Sequence, residues 1–269
     1  MTQPGQHAAD KILALAVRAN ALPDVRAEVE ANHDHNTWWP TAIRDWRTRM
    51  LAAGWSTRIN YRMVGTYTTV LRRAAALGFD TLATIDDDHA RDLVAPLGLP
   101  DARISYLRSL AETLARWDRE GTDLTSMPAD ELIAAFAEQV HGASFKVAQC
   151  AVLYARGYHC GIVPVDSGMV TKLAPALGFD LSTGPTAHEE FRRLLEDAAD
   201  RHADTLRQLA VGRRVTIPAS VTPTWWTHLT LIYFKRLYLN RPPGRLCPHR
   251  PLCAAVTDCQ HAAARAGST

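Results

Sequence analysis

The sequence of 269 residues contains no apolar run approaching the roughly 18–20 residues that cross a bilayer. Residues 1–5 lack the basic and apolar regions of a secretory signal, and the five cysteines are an odd number. We therefore expect a cytoplasmic chain without a membrane partner, with free thiols or metal ligands rather than disulfides. With 47% hydrophobic and 22% charged residues, the chain can bury a core, which excludes disordered and disulfide-stapled classes.

Acidic residues are absent from residues 205–257, although about five or six would be expected there by chance. The segment carries eight cations and the whole chain only +2, which leaves −6 for the remainder. Such asymmetry indicates a face that binds a polyanion, or a basic surface that only aids solubility. The eight cations are Arg207, Arg213, Arg214, Lys235, Arg236, Arg241, Arg245 and Arg250.

The spacing of apolar residues is helical almost everywhere. Clear stripes lie within residues 12–19, 104–117, 132–140, 147–155, 191–199 and 229–239, the last apolar on all sides. Strand signals are weak, because residues 161–165 and 215–218 are short and contain proline. The pattern predicts an all-α protein of about ten or more helices, with residues 161–165 as an extended connector.

Lysine is scarce beside 26 arginines and occurs only at Lys11, Lys146, Lys172 and Lys235. An amine, unlike a guanidinium, can lose its proton and become a nucleophile. Gly142 and Ala143 have the composition of a turn, and Ser144 is a candidate N-cap, which puts Lys146 in a first helical turn. The helix dipole there favours the neutral amine. Lys146 is therefore a candidate nucleophile, with a solvated surface lysine as the alternative.

Asp166 ends the extended connector and stands at the head of the next helix. One interpretation is an N-cap whose carboxylate accepts backbone N–H bonds. The other is a carboxylate that faces Lys146 across a cleft and takes part in catalysis.

Two segments of the sequence resemble the helix-hairpin-helix DNA glycosylases of the endonuclease III kind. They are residues 140–146 and the later run Val165, Asp166, Ser167 and Gly168. In that family the hairpin reads Leu-Pro-Gly-Val-Gly-x-Lys, and Val-Asp-Thr-His follows some twenty residues later. The resemblance covers residues 56–178 and includes the Gly-Leu segment at residues 98–99. The family's hairpin proline is His141 here, its second glycine is Ser144, and its motif histidine is Gly168.

The resemblance implies a two-domain all-α fold with the active cleft between the domains. Residues 52–160 would form a helical barrel domain with the hairpin, and residues 1–51 plus 161–269 would form the second helical domain. It further implies a base-excision DNA glycosylase, with AP-lyase activity as an option, in the cytoplasm at the nucleoid. Lys146 would attack the sugar C1′ as the modified base departs, and the Asp166 carboxylate would support the positive charge on the sugar.

The partner that the resemblance implies is double-stranded DNA. Gly142 and Ser144 of the hairpin would contact a phosphate, and Arg58 would occupy the place of the glutamine that fills the gap left by the flipped base. Arg213 and Arg214 of the basic segment are further candidate DNA contacts.

Three cysteines near the end of the chain, Cys247, Cys253 and Cys259, resemble the C-x6-C-x2-C-x5-C segment that holds a [4Fe-4S] cluster in many family members. One cysteine of that set is missing, and His249 is a candidate fourth ligand. The alternatives are a zinc site formed by the same residues and three free thiols.

Two functions of another class stay open on the sequence. The chain could be a DNA-binding module without catalysis, or a family member that performs a lysine-dependent reaction on a small molecule. Trapping with borohydride on abasic-site DNA separates these alternatives from a glycosylase with lyase activity.

Overall fold

The structure, a computed structural model, describes residues 4–36, 38 and 42–240. The described residues form α-helices joined by turns, with short 3₁₀ and π-helical segments and no β-strand among them. The predicted all-α class is therefore confirmed. In this part of the chain, no helix combines the length and the apolar character that crossing a bilayer requires.

The described residues divide into two compact units. One comprises residues 35–160, and the other joins residues 4–34 to residues 161–240. The expected domain boundary at residue 52 falls inside a helix, Trp46–Trp55, that belongs entirely to the first of these units.

The unit of residues 4–34 and 161–240, here the N/C unit, is built on two N-terminal helices that pack against later ones. Helix α1 contacts α11 and α13, and α2 contacts α13. Helix α13 is buried on every side, as its apolar sequence predicts, and it continues directly into the π-helical turn Lys235–Leu239. The helices of this unit are α1 (Pro4–Ala21), α2 (Pro23–Asn32), α10 (Ala174–Ala176), α11 (Thr186–Arg201), α12 (Ala203–Ala210) and α13 (Thr224–Phe234).

The unit of residues 35–160, here the middle unit, has α3 and α9 as its most extensive helix pair, with α8 also packed on α9. The apolar stripe predicted for residues 104–117 is buried in α7, which packs against α3 and α6. The helices are α3 (Trp46–Trp55), α4 (Val64–Leu77), α5 (Phe79–Thr84), α6 (Asp87–Val94), α7 (Pro100–Arg119), α8 (Ala129–Gln139) and α9 (Phe145–Arg156).

Helices α3 and α7 approach closely because Gly54 has no side chain. A Cβ at that position would lie 2.2 Å from Cε1 of Tyr106, whose ring is buried. The Tyr106 hydroxyl donates to the Met50 carbonyl at 3.0 Å, which fixes the ring against α3. Residue 54 therefore has to be glycine for this packing to form.

We expect Gly54→Ala to lower the free energy of unfolding by about 1–3 kcal/mol, because the added methyl overpacks this contact. Gly65→Ala is the control, since a Cβ at Gly65 in α4 meets no atom within 4 Å. The control should stabilise the protein, by up to about 1 kcal/mol, through helix propensity. Denaturant unfolding measures both, and equal shifts of the same sign would contradict the packing argument.

Candidate functional site

The predicted hairpin forms as a tight turn between α8 and α9. Gly142 is exposed and has φ +81°, a conformation that favours glycine. Ser144 is the N-cap of α9, and its hydroxyl accepts from the Val147 N–H at 3.5 Å. The His141 N–H donates to Ser109 Oγ at 2.8 Å, which ties the turn to α7. The turn and cap predicted from the sequence are both present.

Lys146 is the second residue of α9 and lies in its first turn, as predicted. Its side chain is half-buried. Within the described part of the middle unit, its amine makes no hydrogen bond and no ion pair.

The connector that carries Asp166 is fixed to α11 in the N/C unit. The Val163 N–H donates to Glu196 Oε1 at 2.9 Å. The other oxygen of Glu196 accepts from the Arg192 guanidinium at 2.6 Å, and Arg192 is itself buried. The connector is extended, as predicted, and these bonds determine where Asp166 lies within the unit.

Asp166 caps the turn that follows it. Its Oδ1 accepts from the Met169 N–H at 2.7 Å, which confirms the N-cap interpretation. The carboxylate has a second role as well, because its Oδ2 accepts a hydrogen bond from the Lys235 amine. The structure thus supplies a lysine for Asp166 within its own unit.

The prediction that Lys235 contributes to a basic outer face is wrong. Lys235 directly follows α13, which is buried on all sides, and only 3% of the surface of Lys235 is exposed. Its charge is compensated by Asp166, 69 residues earlier in the chain. A sequence signal is present, because a lysine inside a stretch apolar on every side is bound to be buried and so needs an anionic partner.

Arg58 and Leu99 are the two described non-glycine residues with positive φ, at 57° and 54°. Both side chains are exposed, and 47% of the surface of Leu99 is accessible to solvent. Leucine seldom adopts this left-handed backbone conformation. Arg58 lies in the loop after α3, and Leu99 directly precedes α7. The sequence predicts Arg58 as a DNA contact and gives no such signal for Leu99.

The buried Arg103 holds both of these loops. Its Nη2 donates to the Thr57 carbonyl at 3.2 Å and to the Leu97 carbonyl at 3.1 Å, and its Nε donates to the Gly98 carbonyl at 2.7 Å. Burial lowers the pKa of the Arg103 guanidinium, yet arginine starts so high that it stays charged. One side chain thus fixes the backbone next to Arg58 and Leu99.

Arg213 and Arg214 lie in the loop that follows α12 and begins at Val211. Arg214 is exposed and Arg213 half-buried. Neither guanidinium is paired with a carboxylate among the described residues of its unit, so their charges are not neutralised there.

The predicted cluster ligands Cys247, Cys253, Cys259 and His249 lie outside the described residues, so the iron–sulfur, zinc and free-thiol alternatives stay predictions. Within the described ranges, no three His, Cys, Asp or Glu side chains come together in a way that could hold a metal ion. A cavity of about 1100 Å³ in the middle unit is lined by residues of α3, α5, α7, α8 and α9, but by none of the predicted site residues.

Comparison with solved structures finds a crystal structure of the 3-methyladenine DNA glycosylase MagIII of H. pylori bound to 1,N6-ethenoadenine. The match has a TM-score of 0.59 and 15% sequence identity, and it covers 85% of this chain and 97% of that one. The two chains share a fold. No family model matches the sequence, and no curated protein matches it. The glycosylase fold therefore rests on the arrangement of helices and not on sequence similarity.

Proposed function

We propose that the protein is a base-excision DNA glycosylase, with Asp166 as its catalytic carboxylate and Lys146 as its nucleophile. The observation that carries the proposal is the fold shared with a DNA glycosylase over 85% of this chain. The hairpin before Lys146 and the capped turn at Asp166, which form where the sequence pattern predicts them, support it.

The proposed reaction breaks the N-glycosidic bond of a modified base. Positive charge develops on the sugar as the base leaves, and the fixed anion of Asp166 stabilises it. The neutral amine of Lys146 forms a bond to C1′, and the electron pair of the glycosidic bond leaves with the base. Loss of a proton from the nitrogen and opening of the sugar ring give a Schiff base, from which elimination cleaves the strand. This last step is the proposed AP-lyase activity.

The proposed DNA contacts are the hairpin and the two loops held by Arg103. The N–H groups in the first turn of α9 lack intrahelical partners, and the exposed Gly142 and Ser144 leave room for a phosphate beside them. Backbone strain at exposed residues clusters at functional sites, which supports a contact role for Arg58 and Leu99. A leucine can wedge between base steps, and an arginine can fill the space of an extruded base.

The direct test is base release from duplex DNA that contains 1,N6-ethenoadenine or methylated purines, measured under single-turnover conditions. We choose these substrates because the solved glycosylase of the same fold is a 3-methyladenine enzyme with ethenoadenine bound. Release of the modified base and not of normal bases supports the proposal. DNA binding without release would favour a binding module, and absence of both would favour a family member repurposed for small molecules.

We expect Arg213 and Arg214 to bind phosphates, because their charges are not compensated in their unit. The double substitution of both to glutamine should weaken DNA binding uniformly across sequences. It should also reduce the slope of log K against log salt by about 2, one for each phosphate that is no longer neutralised. Arg201→Gln is the control, since the Arg201 guanidinium already binds Asp197 at 2.7 Å. Titrations by fluorescence anisotropy at several salt concentrations measure the slope, and an unchanged slope in the double variant would exclude phosphate binding by these two arginines.

A further inference from the structure

We propose that Lys235 is the positioning residue for Asp166 and that Gly168 is glycine in order to make room for it. The inference rests on the proposed function of Asp166. It assigns to a lysine far along the sequence the task of holding the catalytic carboxylate in one orientation.

The first argument is the way in which the carboxylate is held. Its Oδ1 accepts from the Met169 N–H at 2.7 Å, and its Oδ2 accepts from the Lys235 amine. Because each oxygen accepts from a donor, rotation of the carboxylate would break a hydrogen bond. Lys235 is 3% exposed, whereas the side chain of Asp166 is 28% exposed, so the lysine lies behind an anion that solvent reaches. The ammonium also favours the charged form of the carboxylate electrostatically.

The second argument is the space at residue 168. A Cβ there would lie 2.9 Å from Lys235 Nζ, 3.3 Å from Lys235 Cδ and 3.4 Å from Asp166 Oδ1. Gly168 has φ −73°, so its backbone does not require glycine. The lysine side chain therefore fills the volume that any larger residue would need. The absence of the family's motif histidine at this position has a physical reason, because Lys235 occupies its place.

The third argument is the backbone on both sides of the pair. Met169–Leu173 and Lys235–Leu239 are both π-helical, and the two segments pack against each other. One begins three residues after Asp166, and the other begins at Lys235 itself. Single π-helical turns are rare and occur frequently at functional sites. Their occurrence on both sides of one ion pair indicates that the backbone is adjusted to bring these two side chains together.

The first measurement tests the pair without any substrate. The chain has only four lysines, so a ¹⁵N spectrum of the lysine amines in the full-length protein is simple to assign by substitution. We expect the Lys235 signal to be protected from exchange by burial and to shift in Asp166→Asn. A Lys235 signal that does not respond to Asp166→Asn would overturn the inference whatever the protein's activity.

The second measurement separates positioning from mere stability. We expect Lys235→Met to lower the single-turnover rate of base release about 10²-fold, the order that a misplaced catalytic group costs, with the Kd for DNA unchanged. Gly168→Ala should also lower the rate, because the new methyl displaces the flexible end of Lys235 and leaves the backbone intact. Lys172→Gln is the control, since Lys172 donates to the Asn240 side chain at 3.1 Å and to no other described residue, and it should keep the wild-type rate.

The outcomes distinguish this inference from the proposed function. Release by the wild type and equal release by folded Lys235→Met overturn the inference alone. If Lys235→Met loses its cooperative thermal transition, the rate of base release by Gly168→Ala is the test instead. A wild-type rate in Gly168→Ala would overturn the inference. If the wild type releases neither 1,N6-ethenoadenine nor methylated purines, the proposed function is overturned, and with it the role of Lys235 in catalysis. This holds even if the amine spectrum shows the ion pair of Lys235 and Asp166.

Discussion

Asp166→Asn is expected to lower the single-turnover rate of base release about 10³-fold, within the range that loss of one electrostatically stabilising group costs. The asparagine side chain has nearly the same shape and can still accept the Met169 N–H bond, so the helix cap is kept. What it removes is the negative charge that we propose stabilises the sugar. It also leaves the buried ammonium of Lys235 without its counterion, and we expect a loss of about 1–3 kcal/mol in the free energy of unfolding.

Asp86→Asn provides a matched control for this substitution. Asp86 is the N-cap of α6, and its side chain accepts from the His89 N–H at 3.0 Å, the same capping role that Asp166 has. The control should keep the wild-type rate of base release. A folded Asp166→Asn protein that releases base as fast as the wild type would reduce Asp166 to a helix cap and contradict its catalytic role.

Lys146→Ala is expected to abolish the covalent adduct that borohydride traps between the protein and abasic-site DNA. The adduct requires a neutral amine that reaches the sugar C1′. The Lys146 amine makes no hydrogen bond and no ion pair in the described part of its own unit. Alanine suits the first turn of α9, and removal of a cation there should stabilise the helix by roughly 0.3–1 kcal/mol. Absence of the adduct in Lys146→Ala would therefore not reflect unfolding, which a thermal melt can verify.

Lys172→Ala should keep the adduct. Lys235→Met should also form it, although more slowly, so the reaction time has to be lengthened for that variant. Lys235 is a poor candidate nucleophile because its amine is buried and bonded to a carboxylate. An adduct that persists in Lys146→Ala would contradict the assignment of the nucleophile. Release of a modified base without any adduct in the wild type would leave a glycosylase that lacks lyase activity.

Local features of this protein are predictable because they depend on residues close together in the sequence. The apolar stripe of residues 104–117 requires only that every third or fourth residue be buried, and α7 buries it. Ser144 and Asp166 cap the turns that follow them because a short polar side chain can reach an N–H two or three residues ahead. The extended connector at residues 161–165 follows from its proline and its short length.

Contacts between distant residues are not predictable from periodicity. Arg103 is an arginine on the apolar side of α7, and only the fold shows that four carbonyl groups, one at the end of α3 and three in the two loops, surround it. Lys235 counts as a surface cation when only the charges of the segment are summed. The apolar residues around it indicate its burial, but only the fold shows that Asp166 compensates it. Gly168 is visible in the sequence as a departure from a motif, whereas the space that it leaves for Lys235 is visible only in three dimensions.

The sequence alone determined the helical class, the position of Lys146 in a first turn and the cap at Asp166, since hydrogen bonds within a few residues and the burial of one helix face decide these features. Tertiary structure alone decided which cation compensates Asp166, how Arg103 fixes the loops of Arg58 and Leu99, and which solved fold the chain shares. The physical reason is that a buried charge needs an opposite charge close to it to offset its desolvation. Packing determines which residue lies there, and that residue can be far away in the sequence.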